Sequence, residues 1–264
     1  MPRPVRCLAS DLMRPDVLWQ VPDVHPALVA GEVHVWRFRL DAAGQASTWS
    51  PDSLSPDEAA RARTFALREQ GLRFAYGRVA QRRILARYLG CLPKEVAYRS
   101  SAYGKPELVG SASKLRFNAS NSGVLGLVAV TSGVDVGVDV ECVRPLPDWR
   151  LIASQVLGDA ELRRLYDVME PQRLAAFFHV WTRKEAVAKC TGLGLSLCWR
   201  TVDVTFANAR LSPIDGDGGL PVGADSWWLH DLDPGENYVG AVAVHCSNAM
   251  RVRCLDAPLP SDDG

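Results

Sequence analysis

The sequence predicts an α+β protein built from two similar α/β lobes, because parts of the chain repeat in the same order. Asp57 to Arg63 and Asp159 to Leu165 lie 102 positions apart, and at that same offset RRILARYLG (82–90) lies over KEAVAKCTG (184–192), both ending in Gly. The apolar run VLGLVAV (124–130) also resembles YVGAVAV (238–244) at a slightly larger offset. Chance supplies one such match; two at one offset, in one element order, favour duplicated lobes. A natural division falls at Thr131-Ser132-Gly133, giving an N-terminal lobe over 1–132, a C-terminal lobe over 133–255 and a disordered tail over 256–264.

Each element has a local reason. Residues 31–40 (GEVHVWRFRL) alternate apolar and polar, the pattern of a strand with one buried face. Residues 45–56 hold Ser, Thr and Pro and read as a loop. Ser55-Pro56-Asp57-Glu58 then opens a helix, with Ser as N-cap, Pro at the first position and Glu reaching back from N3. A long helix follows over 69–89, with Leu72, Tyr76, Val79, Ile84 and Tyr88 at helical spacing and Gly90 as its stop. Residues 100–111 form a loop around Tyr103-Gly104-Lys105-Pro106. Strands are predicted at 124–130 and at 134–140, where VDVGVDV alternates cleanly. In the second half, Gly158-Asp159-Ala160-Glu161 opens a short helix, 171–191 forms a long one ended by Gly192, and strands follow near 200–206, 226–232 and 238–244. The Gly- and Asp-rich stretch 211–225 reads as a hairpin loop, since it lacks the ligand period and closing Glu of a calcium loop.

Composition narrows the function. Thirty basic and thirty acidic residues cancel, so no global field draws nucleic acid, and any attraction to an anionic ligand is local. Five basic residues are Lys and the rest Arg, a planar donor suited to phosphate, although genomic base composition produces the same excess. The seven cysteines form no C-x-x-C pair, which argues against a disulfide framework or zinc site and for a reducing, cytoplasmic setting. No apolar run is long enough to span a membrane, and the first nineteen residues hold no apolar leader core. The five histidines lack metal-ligand spacing, and His179 in its aromatic run reads as a packed residue.

Four segments could carry chemistry. In Gly137-Val138-Asp139-Val140-Glu141 the two carboxylates share one strand face, their α-carbons about 6.6 Å apart, within reach of one hard cation, and Gly137 leaves room for a ligand beside the backbone. The same run also fits a solvated acidic face. Trp181, Glu185 and Lys189 share a helix stripe, placing a carboxylate and an ammonium one turn apart, as an ordinary surface pair does too. Lys105 is presented from a Gly-Lys-Pro loop able to meet a phosphate, or simply to sit in solvent. Phe117 to Gly123, with Ser120, Asn121 and Ser122, offers small donors suited to phosphate or ribose, or forms a plain polar turn. A basic set, Arg61, Arg63, Arg73, Arg78, Arg82 and Arg83, is expected to be mostly solvated.

In this order, YGKPEL, FNASNSG, GVDVE and WTRKEAVAK resemble the 4′-phosphopantetheinyl transferases of the large two-lobed type, which activate peptide and polyketide synthases. The resemblance runs from about Ser55 to His245. It implies a monomer with its lobes in a pseudo-twofold arrangement, coenzyme A in the cleft, and a Mg²⁺ cofactor. It implies Asp139, Glu141 and Glu185 as metal ligands, with Glu185 also the base that takes the proton of a carrier-protein serine, a relaying water being the alternative. Lys189 matches the lysine at the pyrophosphate, Lys105 the loop lysine at the nucleotide, and Arg61, Arg73 and Ser120 to Ser122 positions near the coenzyme A phosphates. The implied partners are coenzyme A and an apo acyl, peptidyl or polyketide carrier protein, with neither nucleic acid nor membrane. Other readings are a non-catalytic coenzyme A- or nucleotide-binding regulator and a Mg²⁺-dependent nucleotide hydrolase. Two positions depart from the family pattern: Asn121 replaces a His, and Glu58 stands where relatives often carry a basic residue. Both are expected to weaken phosphate attraction.

Overall fold

In the computed structural model, residues 18–41, 53–110, 114–194, 199–204, 210–211, 227–246 and 248–257 are described. The chain divides into two compact units. One is Leu18–Val136 with the returning segment from 250; the other is Gly137–Ala249. The expected division at 132/133 lies four residues away, and the expectation did not include the return of residues 250–255 to the first unit.

The first unit holds a four-stranded sheet of order β11-β1-β5-β4. Its strands are β1 (Glu32–Arg39), β4 (Leu115–Ser122), β5 (Leu125–Ser132) and β11 (Arg251–Asp256). β5 runs antiparallel to β1 and β4, with Trp36 opposite Val128 and Ala119 also opposite Val128, while β11 adds in parallel to the other side of β1. Helices α1 (Pro56–Arg63) and α2 (Arg68–Leu89) follow β1. α2 lies on β4 and β5, and Tyr76, Ala80, Ile84 and Leu85 bury against a core that includes Trp36, Val128, Val130 and Leu255. A short hairpin of β2 (Tyr98–Ser100) and β3 (Pro106–Leu108) sits where the sequence reads as loop. β4 likewise replaces an expected polar turn at 117–123. It is an edge strand, where Asn and Ser are tolerated because one side of the ladder is not shared.

The second unit repeats this plan. β6 (Val136–Cys142), β9 (Trp227–Leu232) and β10 (Tyr238–His245) form a sheet of order β6-β10-β9, the same neighbour order as β1-β5-β4. Between β6 and β9 come α3 (Trp149–Val156), α4 (Asp159–Asp167), α5 (Glu170–Thr191) and a two-stranded pair, β7 (Val202–Asp203) with β8 (Arg210–Leu211). α5 lies along β10 and buries Phe177, Phe178, Ala186 and Val187 with Ala241 and Ala243. Both long helices span 22 residues and stop at a left-handed glycine, Gly90 at φ 64 and Gly192 at φ 74. α3 was not expected; its N-cap, Asp148, makes no side-chain capping bond, so the usual start signal is missing. The expected strand beyond residue 204, most of the 211–225 loop and the tail from 258 lie outside the described residues.

The two units also share one kind of buried polar device. In the first unit the Glu58 carboxylate accepts from the Ser55 N–H at 3.0 Å and from Arg82 Nε at 2.7 Å. Arg82, 3% exposed, also donates to Pro93 O at 3.1 Å and Val96 O at 2.7 Å, at the turn after α2. In the second unit Glu161 accepts from the Gly158 N–H at 2.9 Å and meets Lys184 Nζ at 2.7 Å. Lys184, fully buried, donates to Trp199 O at 2.8 Å and Val202 O at 2.6 Å, after α5. Arg82 is therefore not a solvated helix residue, and Glu58 serves as cap and buried counter-ion.

Candidate functional site

The site in the second unit is set by one glycine. A β-carbon on Gly137 would lie 2.0 Å from Ala186 O and 2.4 Å from Cys190 N, so the backbone of α5 rests directly on this residue. The room expected for a ligand is taken by the helix. The face carrying Gly137, Asp139 and Glu141 is consequently covered, and Asp139 is only 3% exposed. A solvated acidic face is excluded for Asp139, and the buried residues Val136, Val138 and Val140 leave β6 covered on its other face as well.

α5 presents the complementary groups. Trp181, Glu185 and Lys189 are half-buried, while Thr182, Lys184 and Ala186 to Ala188 around them are buried. Lys189 Nζ meets Asp139 Oδ1 at 2.6 Å. The other oxygen, Oδ2, is buried with no hydrogen-bond partner among the described residues. The Glu185 carboxyl is held above its ordinary pKa, first by burial and then by the charges of Asp139 and Glu141, with Lys189 pulling the other way. Glu141, at the half-open end of β6, lies 3.7 Å from Arg144 Nη1. Three carboxylates and one ammonium thus act on one another across the strand–helix contact. As the side chains stand, no three of the described His, Cys, Asp or Glu residues converge on one point. The donor set nonetheless fits a hard divalent cation, which takes carboxylate oxygens and would offset the repulsion.

The remaining predicted residues lie in the first unit. Gly104 adopts φ 81 and closes the β2–β3 turn, so Lys105 is presented as expected. Its Nζ reaches Val136 O at 3.3 Å, and it lines a cleft of about 390 Å³ with Arg99, Arg116, Phe117 and Asp135. A neighbouring cleft of about 200 Å³ is lined by Arg73, Phe74, Arg78, Ser120 and Asn121. Pro106 and Phe117 border both. Arg61 sits over the Phe74 ring at 5.3 Å, one residue removed from this cleft, and Arg73 is paired with Glu69 at 2.7 Å. Ser122 ends β4 opposite Leu125 and does not line either cleft. The contributions of Arg99, Arg116 and Asp135 were missed, because only the hairpin and the β4 edge bring them beside Lys105.

Comparison with known proteins identifies the family. A sequence model of the 4′-phosphopantetheinyl transferase superfamily matches residues 135–243, the span from β6 to β10 that contains all four interacting residues of the second unit. The chain is 34% identical over 228 residues to the 4′-phosphopantetheinyl transferase HetI of Nostoc sp., covering 86% of this chain and 93% of that protein. It is 32% identical to a putative 4′-phosphopantetheinyl transferase of Synechocystis sp., covering 75% and 81%. It is 36% identical to the 4′-phosphopantetheinyl transferase AcpT of Salmonella typhimurium, covering 61% and 77%. At 34% identity over 86% of its length and 93% of HetI, the chain belongs to the 4′-phosphopantetheinyl transferases.

Proposed function

We propose that this transferase moves the 4′-phosphopantetheine group of coenzyme A onto a serine of an apo carrier protein, at a Mg²⁺ site formed by Asp139, Glu141 and Glu185. The observation that carries the reading is the burial of Asp139 against α5, with Lys189 at 2.6 Å and Glu185 under the field of both strand carboxylates. Isolated carboxylates on a surface need no such company.

In the transfer, the serine oxygen bonds to the β-phosphorus of coenzyme A, the bond from that phosphorus to 3′,5′-ADP breaks, and the serine proton is released. When bound, the metal neutralises pyrophosphate charge and orients the phosphorus for attack. Lys189 adds a positive charge at the same place, able to stabilise charge that builds on the pyrophosphate oxygens. Glu185 is the residue we assign as base, with a relaying water as the alternative, because a bound cation favours its charged form. Lys105, Arg73, Ser120 and Asn121 supply donors for the nucleotide end, with Arg61 supporting through Phe74 and Ser122 at the strand end. We read the two units as duplicated lobes of one monomer, on the strength of their shared strand order and shared buried pair.

The test is direct: incubate the protein with coenzyme A, Mg²⁺ and several apo carrier proteins, then weigh the carriers. Mass gain by the phosphopantetheine group is expected. No gain on any carrier overturns the reading, and full gain in the presence of a chelator overturns the metal's role. Carriers of the acyl, peptidyl and polyketide kinds, tried side by side, identify the physiological class.

A further inference from the structure

Glu185 and Lys189 can face Asp139 only if α5 is held at one rotation about its axis, and two adjacent residues hold it. Arg183 Nε donates to Asp231 Oδ1 on β9 at 2.7 Å, its Nη2 meets Asp231 Oδ2, and its Nη1 donates to Val204 O at 3.0 Å. Lys184 is clamped to Glu161, Trp199 O and Val202 O. Glu161 also accepts from the Val204 N–H at 3.0 Å, so both residues are tied to the segment 199–204, and Arg183 to β9 as well. That segment is itself seated tightly, since a β-carbon on Gly158 would lie 2.7 Å from Arg200 O. Successive helix side chains project about 100° apart, so fixing 183 and 184 sets the direction of 185.

We propose that Lys184, through its buried pair with Glu161, is a positioning residue that sets the rotation of α5 and aims Glu185 and Lys189 at Asp139. The proposal rests on the reading of those residues as the reaction centre. The first unit supplies an internal control. Glu58 and Arg82 form the same device with the same carbonyl contacts, but the residues one and five positions after Arg82 are Arg83 and Arg87, not Glu and Lys. A merely structural pair would give the same consequences in both units; a positioning pair would not.

The experiment compares Lys184→Met, Lys184→Arg, Arg82→Met and Glu185→Gln in the full chain. Thermal midpoints, kcat and KM for coenzyme A by carrier mass gain, and Mn²⁺ binding by electron paramagnetic resonance are measured below every midpoint. Both variants should lower the midpoint, Lys184→Met by more, because it strands Glu161 whereas Glu58 keeps Arg78 at 3.5 Å. Only Lys184→Met should lower kcat, by about 100-fold for a misplacement of the order of an ångström. Its Mn²⁺ affinity should fall while its KM for coenzyme A holds. Lys184→Arg should restore kcat, as Arg82 already fills this role in the first unit. Equal kcat in Lys184→Met and Arg82→Met overturns the proposal. If Lys184→Met does not fold, Glu161→Gln against Glu58→Gln decides by the same rule. Full activity in Glu185→Gln would instead overturn the reading of the site, while an inactive Glu185→Gln beside a fully active Lys184→Met removes the positioning role alone.

Discussion

Gly137→Ala adds one carbon at the tightest strand–helix approach in the second unit. The new atom would stand 2.0 Å from Ala186 O, against an ordinary contact of 3.4 Å, so α5 must withdraw by roughly 1.4 Å. Both near atoms are backbone, so no side chain can turn aside. Overpacking of this kind costs about 1–3 kcal/mol, and the upper part of that range applies because the helix must move as a body. Alanine recovers roughly 0.4–1 kcal/mol by restricting the unfolded chain, leaving about 2 kcal/mol of net loss. In a chain of this size that lowers the thermal midpoint by about 4–8 °C. The withdrawal also carries Glu185 and Lys189 away from Asp139, and a displacement of this order costs about 100-fold in rate. Circular dichroism melting and carrier mass gain read the two effects. Gly77→Ala is the matched control: its β-carbon would find only Leu40 Cδ2 at 3.6 Å, inside a helix, so stability should rise by about 0.5–1 kcal/mol. A Gly137→Ala variant that melts with the native chain and transfers at the native rate would refute the seating of α5 on β6.

Asp139→Asn keeps the shape of the buried residue but removes its charge; transfer should fall at least about 100-fold, and Mn²⁺ binding should weaken in parallel. Lys105→Ala should raise the KM for coenzyme A about tenfold, the worth of one charge-assisted hydrogen bond, and leave kcat near native. His25, stacked 5.3 Å from Trp36 and edge-on to Tyr88 at 4.2 Å, is held down to a pKa of about 4, mainly by burial and next by Arg87. Its neutral form is therefore favoured in the fold: the contribution is complete above the unfolded value of 6.5 and is lost as pH falls from 6.5 towards 4. The full drop sets a ceiling of about 3 kcal/mol, reduced to about 1–2 kcal/mol because the ring is partly open to solvent. Urea midpoints at pH 7 and pH 5 should therefore differ less in His25→Phe than in the native chain; an equal difference would refute the assignment.

The helix ends and strand alternations were legible because their causes are local. Ser55 caps α1 through Glu58 as the sequence predicts, and Gly90 and Gly192 stop α2 and α5 through a left-handed backbone. What stayed hidden depends on partners distant in sequence. β11 is recognisable only through β1, to which it is joined by a parallel ladder and by the Arg37–Asp256 pair at 2.7 Å. β4 reads as a turn because its small polar residues give no apolar alternation. Gly137 was singled out correctly as a place of close approach, yet its occupant is a helix rather than a ligand, a distinction that one strand's sequence does not contain. The acidic residues were found by spacing. The burial of Asp139, which excludes a solvated face there, is a property of the helix laid over it.

On the proposed reading, the paired device lets one scaffold carry chemistry in one half only. In both units a capped short helix offers a glutamate, the following long helix answers with a buried cation, and that cation holds the carbonyls of the turn beyond. These contacts are enclosed, so they constrain the backbone without depending on what the next residue does. That next residue is Arg83 in α2 and Glu185 in α5, and one turn later stand Arg87 and Lys189. Changing charge at these positions, half-buried or exposed, leaves the clamp intact, because none belongs to it. A pair of arginines on α2 and a carboxylate–ammonium pair on α5 are therefore alternative loads on the same mount. The second is brought against a strand that carries Asp139 and Glu141, where burial first, and then the charges of those carboxylates, raise the proton affinity of Glu185.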